Sequence, residues 1–177
     1  MARSRYKFLP SDTLPYFVTV TVINWIPVFS NPDIAKIIFD SLAFQQREKR
    51  IMLHAYVLME NHLHLVVQAD NLSKEMANFK SFTARQGIDY FTAHNNQFYL
   101  RQFAFHKLPH RTDRDYQFWQ EGSHPEQIHN QRMYEQKIRY IHENPVRRGY
   151  VDEPEHWRYS SARYYAGMEA MLELDLD

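Results

Sequence analysis

Two histidines one residue apart, His62 and His64 in "MENHLHLVVQ" (59–68), interrupt what otherwise reads as the start of an apolar strand. On a strand, residues i and i+2 project from one face, roughly 6.6 Å apart at about 3.3 Å per residue, while Leu63, Leu65 and Val67 project from the other. Neutral imidazole is the commonest nitrogen ligand of divalent ions, and two rings at this spacing can converge on one ion. A pair of half-buried, hydrogen-bonded strand histidines gives the same pattern. The chain has no cysteine, so a metal here must be held by nitrogen and oxygen, and neither a thiolate site nor a disulfide framework is possible.

Two imidazoles do not complete a site, and the stretch "QRMYEQKIRYIHENPVRRGY" (131–150) offers the remaining chemistry. Tyr134, Ile138 and Ile141 form an apolar stripe that should seat a helix on the sheet, and Met133, Lys137, Tyr140 and Asn144 form the stripe beside it. Tyr140 and Asn144 are thus neighbours, a hydroxyl and an amide one turn apart. An amide oxygen can ligate a hard cation. Taken alone, Tyr140 reads equally as an aromatic at the core margin and Asn144 as an ordinary helix-end residue before Pro145.

These groups need a scaffold. "YFVTVTVI" (16–23) is β-branched and aromatic, a strand. Asn31 and Pro32 give a helix cap and first turn, with Ile34, Ile37, Ile38 and Leu42 at helical spacing, so the first helix runs from 32 to about 49. Residues 51–59 and 62–69 form two strands about a tight turn at Glu60-Asn61. Ser73 can cap a second helix that presents Met76, Phe79, Thr83 and Tyr90 and ends near about 93. Residues 94–114 carry no assignable period. A second hairpin is expected from 116–120 and 123–129 about Glu121-Gly122, with Pro125 putting the latter strand at an edge. The third helix, 130 to about 144, should stop at Pro145. "HWRYSSARYY" (156–165) reads as a short amphipathic helix capped by Ser160 or Ser161, with Trp157 and Tyr164 packed inward, and the acidic end "MEAMLELDLD" (168–177) as loosely ordered. The order β-α-β-β-α-β-β-α predicts an α+β sandwich on a mostly antiparallel sheet. At 177 residues one domain, 1–177, is expected.

Formal charge is zero, with 21 Lys and Arg against 21 Asp and Glu, but it is unevenly spread. Residues 1–50 carry 7 basic against 4 acidic side chains and 74–114 carry 7 against 3, while 151–177 carry 2 against 7. A basic body rich in rings, as in "NNQFYLRQFAFHKLPHRTDR" (95–114), suits a single strand of nucleic acid, because cations neutralise phosphate while rings stack on unpaired bases; an ordinary mixed-charge surface remains open on this feature alone. The acidic tail could compete for the same groove. No apolar run of membrane-spanning length occurs, and the basic N-terminal residues lack a following signal-type apolar core, so a soluble cytoplasmic protein is expected.

The ordered motifs "YVLMENHLHLVV", "YEQKIRYIHENPVRRGYV" and "HWRYSSARYY", spanning residues 5–166 with their surroundings, resemble the single-tyrosine HUH transposases, in particular the REP-associated tyrosine transposase branch of the IS200/IS605-like transposases. The resemblance implies a ferredoxin-like HUH sandwich in which His62 and His64 are metal ligands, Tyr140 is the nucleophile, and Asn144 stands at the position of the third ligand. It implies Mg²⁺ or Mn²⁺ as cofactor and, as partner, single-stranded DNA carrying palindromic hairpins, cleaved through a 5′-phosphotyrosine; a monomer is implied over a homodimer. A phenol, with an ordinary pKa of about 10, is a weak nucleophile near neutrality, so a nearby cation should favour its anion, and Lys137, one turn before Tyr140, is a candidate alongside its reading as a solvated helix lysine. Expected DNA contacts are Arg3, Arg5, Lys7, Lys80, Arg85, Lys107, Arg111, Lys137, Arg147 and Arg148. Glu60 departs from the proline often found in related sequences. Two other readings stay open: a domesticated hairpin-binding protein without turnover, and a metal-dependent phosphoesterase using activated water with Glu60 as base.

Overall fold

The computed structural model describes residues 14–176, and Arg3, Arg5 and Lys7 lie outside them. Four strands form one antiparallel sheet in the order β2-β3-β1-β4, where β1 is Tyr16–Thr21, β2 Met52–Leu58, β3 His62–Gln68 and β4 Glu126–Gln127. This is the strand order of a ferredoxin-like sandwich. The α+β architecture expected from the pattern is therefore the one observed.

One sheet face is mostly apolar. Val18, Val20, Leu63, Leu65 and Val67 are solvent-free and lie under α1 (Pro32–Arg47) and α2 (Leu72–Ala93). Helix α1 begins where expected: Pro32 supplies the first turn and the Asn31 side chain accepts from the Asp33 amide at 2.9 Å. Helix α2 starts two residues earlier than a Ser73 cap would allow. Its cap is Asn71, which accepts from the Lys74 amide at 3.1 Å, and the earlier start turns Leu72 into the core. Gly87 on α2 lets the Phe118 ring approach so closely that an added Cβ would sit 2.7 Å from a ring carbon.

The stretch 94–114, left without an element by the sequence, contains α3 (Gln97–Phe105), which buries only Leu100 and Phe103. The hairpin expected at Glu121-Gly122 is absent. Both of its halves instead run along the same strand: the Ile23 amide donates to Phe118 O, the Gln120 amide to Thr21 O, the Thr19 amide to Ser123 O and the Ile128 amide to Pro15 O. Residues 118–128 thus form one interrupted edge along β1, and 121–125 is a bulge with Gly122 and His124 at positive φ.

The other face is covered by α4 (Gln131–Arg147), through Ile138, Ile141 and Met133 against Phe17, Ala55, Val57 and Val66. Pro145 does not end this helix; its ring removes one donor near the last turn, where the Arg148 amide still reaches Asn144 O at 3.1 Å. Trp157 and Tyr164 pack inward as expected, on opposite faces of the sheet. Helix α5 (Ala162–Tyr165) has Ser161 as its N-cap, whose side chain makes no capping bond; the Ser160 hydroxyl accepts from the Ala162 amide. The acidic end is tied down rather than loose. Leu172 and Leu174 are buried, and Asp175 caps the free edge of β2 by accepting the Leu53 amide and donating its own to Leu53 O, which removes a hazardous open edge. Among the described residues no helix is long and apolar enough to cross a membrane.

Candidate active site

The central position of β3 decides what becomes of the two histidines. His64 lies opposite Thr19 on β1 and Val57 on β2, and His62 lies opposite Thr21, so both rings point to the α4 face with paired strands on either side. They are 3% and 6% exposed, with ring centroids 4.7 Å apart. Burial, reinforced for His62 by Arg148 and for His64 by His62 and Arg148, pushes the imidazole pKa values down to about 4 for His62 and about 3 for His64. Both are therefore neutral near pH 7, the form that can ligate a metal.

Each ring is held by its Nδ1. His62 Nδ1 lies 2.7 Å from Asn61 Oδ1; an amide oxygen only accepts, so Nδ1 carries the proton and the Nε2 lone pair is free. His64 Nδ1 lies 2.8 Å from Thr19 Oγ1. This carboxamide and hydroxyl occupy the place where partners of metal-bound histidines ordinarily stand.

Helix α4 crosses the pair in a legible register. The Tyr140 ring meets His64 edge-on with centroids 5.5 Å apart, and two turns later Arg148 Nη1 lies 3.5 Å from Glu60 Oε1. Asn144 lies midway between them on the helix. Its side chain is 8% exposed, and Oδ1 has no hydrogen-bond partner. A buried carbonyl left unpaired costs about 1–3 kcal/mol, and a cation between Asn144 and the imidazoles would satisfy it. Two neutral imidazoles and an amide oxygen fit a divalent ion; among the described residues no group of three or more His, Asp or Glu is gathered as a metal cluster. Tyr140 itself is 38% exposed and open to a substrate. Phe17 stacks on His64 at 5.2 Å and meets Tyr140 edge-on at 5.7 Å, wedging the phenol against the pair.

The cations divide into two groups. Lys137 is not directed to Tyr140: it pairs with Glu126 at 2.6 Å and sits over the Phe17 ring. Arg147 is the cation at the phenol, its guanidinium carbon 5.5 Å from the Tyr140 ring centre while it also pairs with Glu143. Lys80 is bound to the carbonyls of Gln120 and Gly122, and burial lowers its pKa to about 8. Lys107 donates to Arg111 O, and Arg111 pairs with Glu121. Arg85 is exposed. Sequence reasoning missed Phe17, Thr19, Asn61 and Trp25. For Thr19 the signal was available in the alternation of β1, where positions 17, 19 and 21 must share a face.

No protein-family model matches the chain, and no curated protein does. A solved structure of a REP-associated tyrosine transposase bound to a REP hairpin matches over 100% of this chain and 94% of its own, with TM-score 0.66 and 17% identity. The chain has the fold of a REP-associated tyrosine transposase. A candidate transposase from Deinococcus radiodurans matches over 81% of this chain and 97% of its own, with TM-score 0.45 and 18% identity.

Proposed function

We propose that the chain is a metal-dependent single-stranded DNA endonuclease and strand transferase, acting beside REP-like hairpins through a 5′-phosphotyrosine on Tyr140. The observation that carries this is the solvent-open Tyr140 ring held edge-on against a buried, neutral histidine pair. The match to a transposase bound to a REP hairpin supports the choice of DNA.

His62, His64 and Asn144 would hold Mg²⁺ or Mn²⁺, which would supply positive charge to the phosphate and help orient the scissile group. Asn61 and Thr19 engage the two Nδ1 atoms, which leaves Nε2 of each ring as the nitrogen for the ion. Phe17 and Arg147 fix the Tyr140 ring between an apolar wedge and a cation. The Tyr140 oxygen attacks phosphorus in line, the P–O3′ bond breaks, the phenolic proton passes to water, and the departing oxygen takes a proton from water to become a 3′-hydroxyl. The phosphotyrosine ester conserves the linkage, so a second 3′-hydroxyl can attack it and release the phenol. Arg147 and Arg148, at the exposed end of α4, are placed to meet the backbone beside the cut.

The test is incubation with hairpin-bearing single-stranded oligonucleotides and Mn²⁺. Wild type should yield a detergent-stable protein–oligonucleotide adduct and Tyr140→Phe none. Cleavage surviving that substitution would point to activated water, and binding without cleavage by either protein to a non-catalytic hairpin binder.

A further inference from the structure

Trp25 is 53% exposed, beside the histidine pair and outside the hydrophobic core. The other two tryptophans are accounted for by packing: Trp119 is 5% exposed within the core, and Trp157 donates its indole N–H to Leu58 O. Trp25 and its neighbour Asn24 have φ of 56° and 50°, two successive non-glycine residues in the left-handed region, which persist only where the surroundings impose them. Here they do. The Trp25 amide donates to Val22 O at 3.0 Å, its carbonyl accepts from Asn61 Nδ2 at 3.2 Å, and the Asn24 side chain meets His106 Nε2 at 3.0 Å. The outcome is an indole presented to solvent with its ring 5.8 Å from His62, at 72°. Asn61 also fixes the His62 tautomer, so one amide sets both the ligand and the ring beside it.

We propose that Trp25 is a stacking platform for the unpaired nucleobase on the 3′-hydroxyl side of the scissile phosphate. This rests on the reading of Tyr140 as nucleophile. In-line displacement puts attacking and departing oxygens on opposite sides of phosphorus. Tyr140 contacts His64, at one end of the pair, and Trp25 contacts His62, at the other. A phosphate seated between them leaves Tyr140 on one side and directs the departing nucleotide toward Trp25. Stacking on an indole tolerates any base, so the platform adds affinity and positioning with little sequence preference.

Two measurements test it. In the Tyr140→Phe background, titration with an unpaired oligonucleotide should quench tryptophan emission, because Trp25 is the exposed indole, and Trp25→Ala should remove the quench and weaken binding on the order of tenfold, with Trp25→Phe recovering most of the affinity. In the active protein, the Trp25→Ala effect on adduct formation should vanish when the nucleotide immediately 5′ of the cut is abasic and persist when the abasic position is 3′ of it. Unchanged affinity in Trp25→Ala, or no recovery with Phe, overturns the platform; so does dependence on the 3′ nucleotide. Adduct formed equally by wild type and Trp25→Ala removes the platform and leaves the catalytic reading intact. Absence of adduct from wild type removes the catalytic reading, and the quench and affinity results then decide the platform by themselves.

Discussion

The two faces of the central sheet are made by alternate residues of the same strands and are built to opposite ends. Toward α1 and α2, Val18, Val20, Leu63, Leu65 and Val67 have no exposed surface and join one continuous hydrophobic core. Toward α4, the same strands offer Thr21, His62 and His64, buried nearly as deeply, and the helix adds Asn144 with an unpaired oxygen. Burying polar groups lowers stability unless each is paired. The first face therefore holds the fold together, and the second keeps its imidazoles neutral and directed at the expense of some stability. Substitutions on the two faces should separate stability from activity.

The largest expected effect is Tyr140→Phe, which should abolish the covalent DNA adduct to below detection while leaving the melting temperature within error, since the ring contacts with Phe17 and His64 survive loss of the hydroxyl. Leu65→Ala, on the opposite face of the same strand, should do the reverse: it should lower stability by about 2–5 kcal/mol, as deletion of a fully buried leucine does, and leave adduct formation intact at a temperature where the variant remains folded. Urea unfolding and adduct yield on the same samples would show whether the faces are separable. Equal loss of activity in both variants would mean that they are not.

Asn144→Leu sharpens the comparison because it converts the polar face locally into the apolar one. Removing an unpaired buried carbonyl should raise stability by about 1–3 kcal/mol, while Mn²⁺ binding, followed by calorimetry, weakens. Asn144→Asp should strengthen Mn²⁺ binding and lower metal-free stability, since it buries a charge. If both variants bind Mn²⁺ like wild type, Asn144 is no ligand, whatever becomes of the stability.

Much of this arrangement was legible in the sequence because it is periodic. The alternation in "HLHLVV" put both imidazoles on one face, the Asn31-Pro32 pair opened α1, and helical spacing set Tyr140 beside Asn144. What was illegible depended on distant partners. Asn71 replaced Ser73 as a cap because Leu72 had to reach the core, and α3 carries too few buried residues over nine positions to show a period. Glu121-Gly122 has a turn's composition, yet becomes a bulge because β1 offers hydrogen bonds on both sides of it. The acidic tail is ordered by the open edge of β2, and Lys137 is drawn to Glu126, a residue of the edge strand β4. Trp25 belongs to no repeat; only its backbone conformation and its place beside His62 distinguish it.

The smallest expected effect concerns protons. Burial holds the folded-state pKa of His142 at about 4, alongside His62 at about 4 and His64 at about 3, and lowers that of His54. The unfolded chain takes up these protons around 6.5, so below that pH it binds more protons than the folded chain does, and each neutral histidine contributes stability that is complete above about pH 6.5 and declines as pH falls toward its folded value. Urea unfolding should therefore show stability falling between pH 7 and pH 4.5. His142 lies under α5 with its Nε2 2.9 Å from the Ser161 hydroxyl, away from the proposed metal position, and His142→Gln should reduce the slope without altering Mn²⁺ binding. Saturating Mn²⁺ should act on the other two, holding His62 and His64 unprotonated and flattening their share of the slope while leaving that of His142. A slope that responds to His142→Gln but not to Mn²⁺ would show that the imidazole pair on the polar face is buried for the fold and not for a cation.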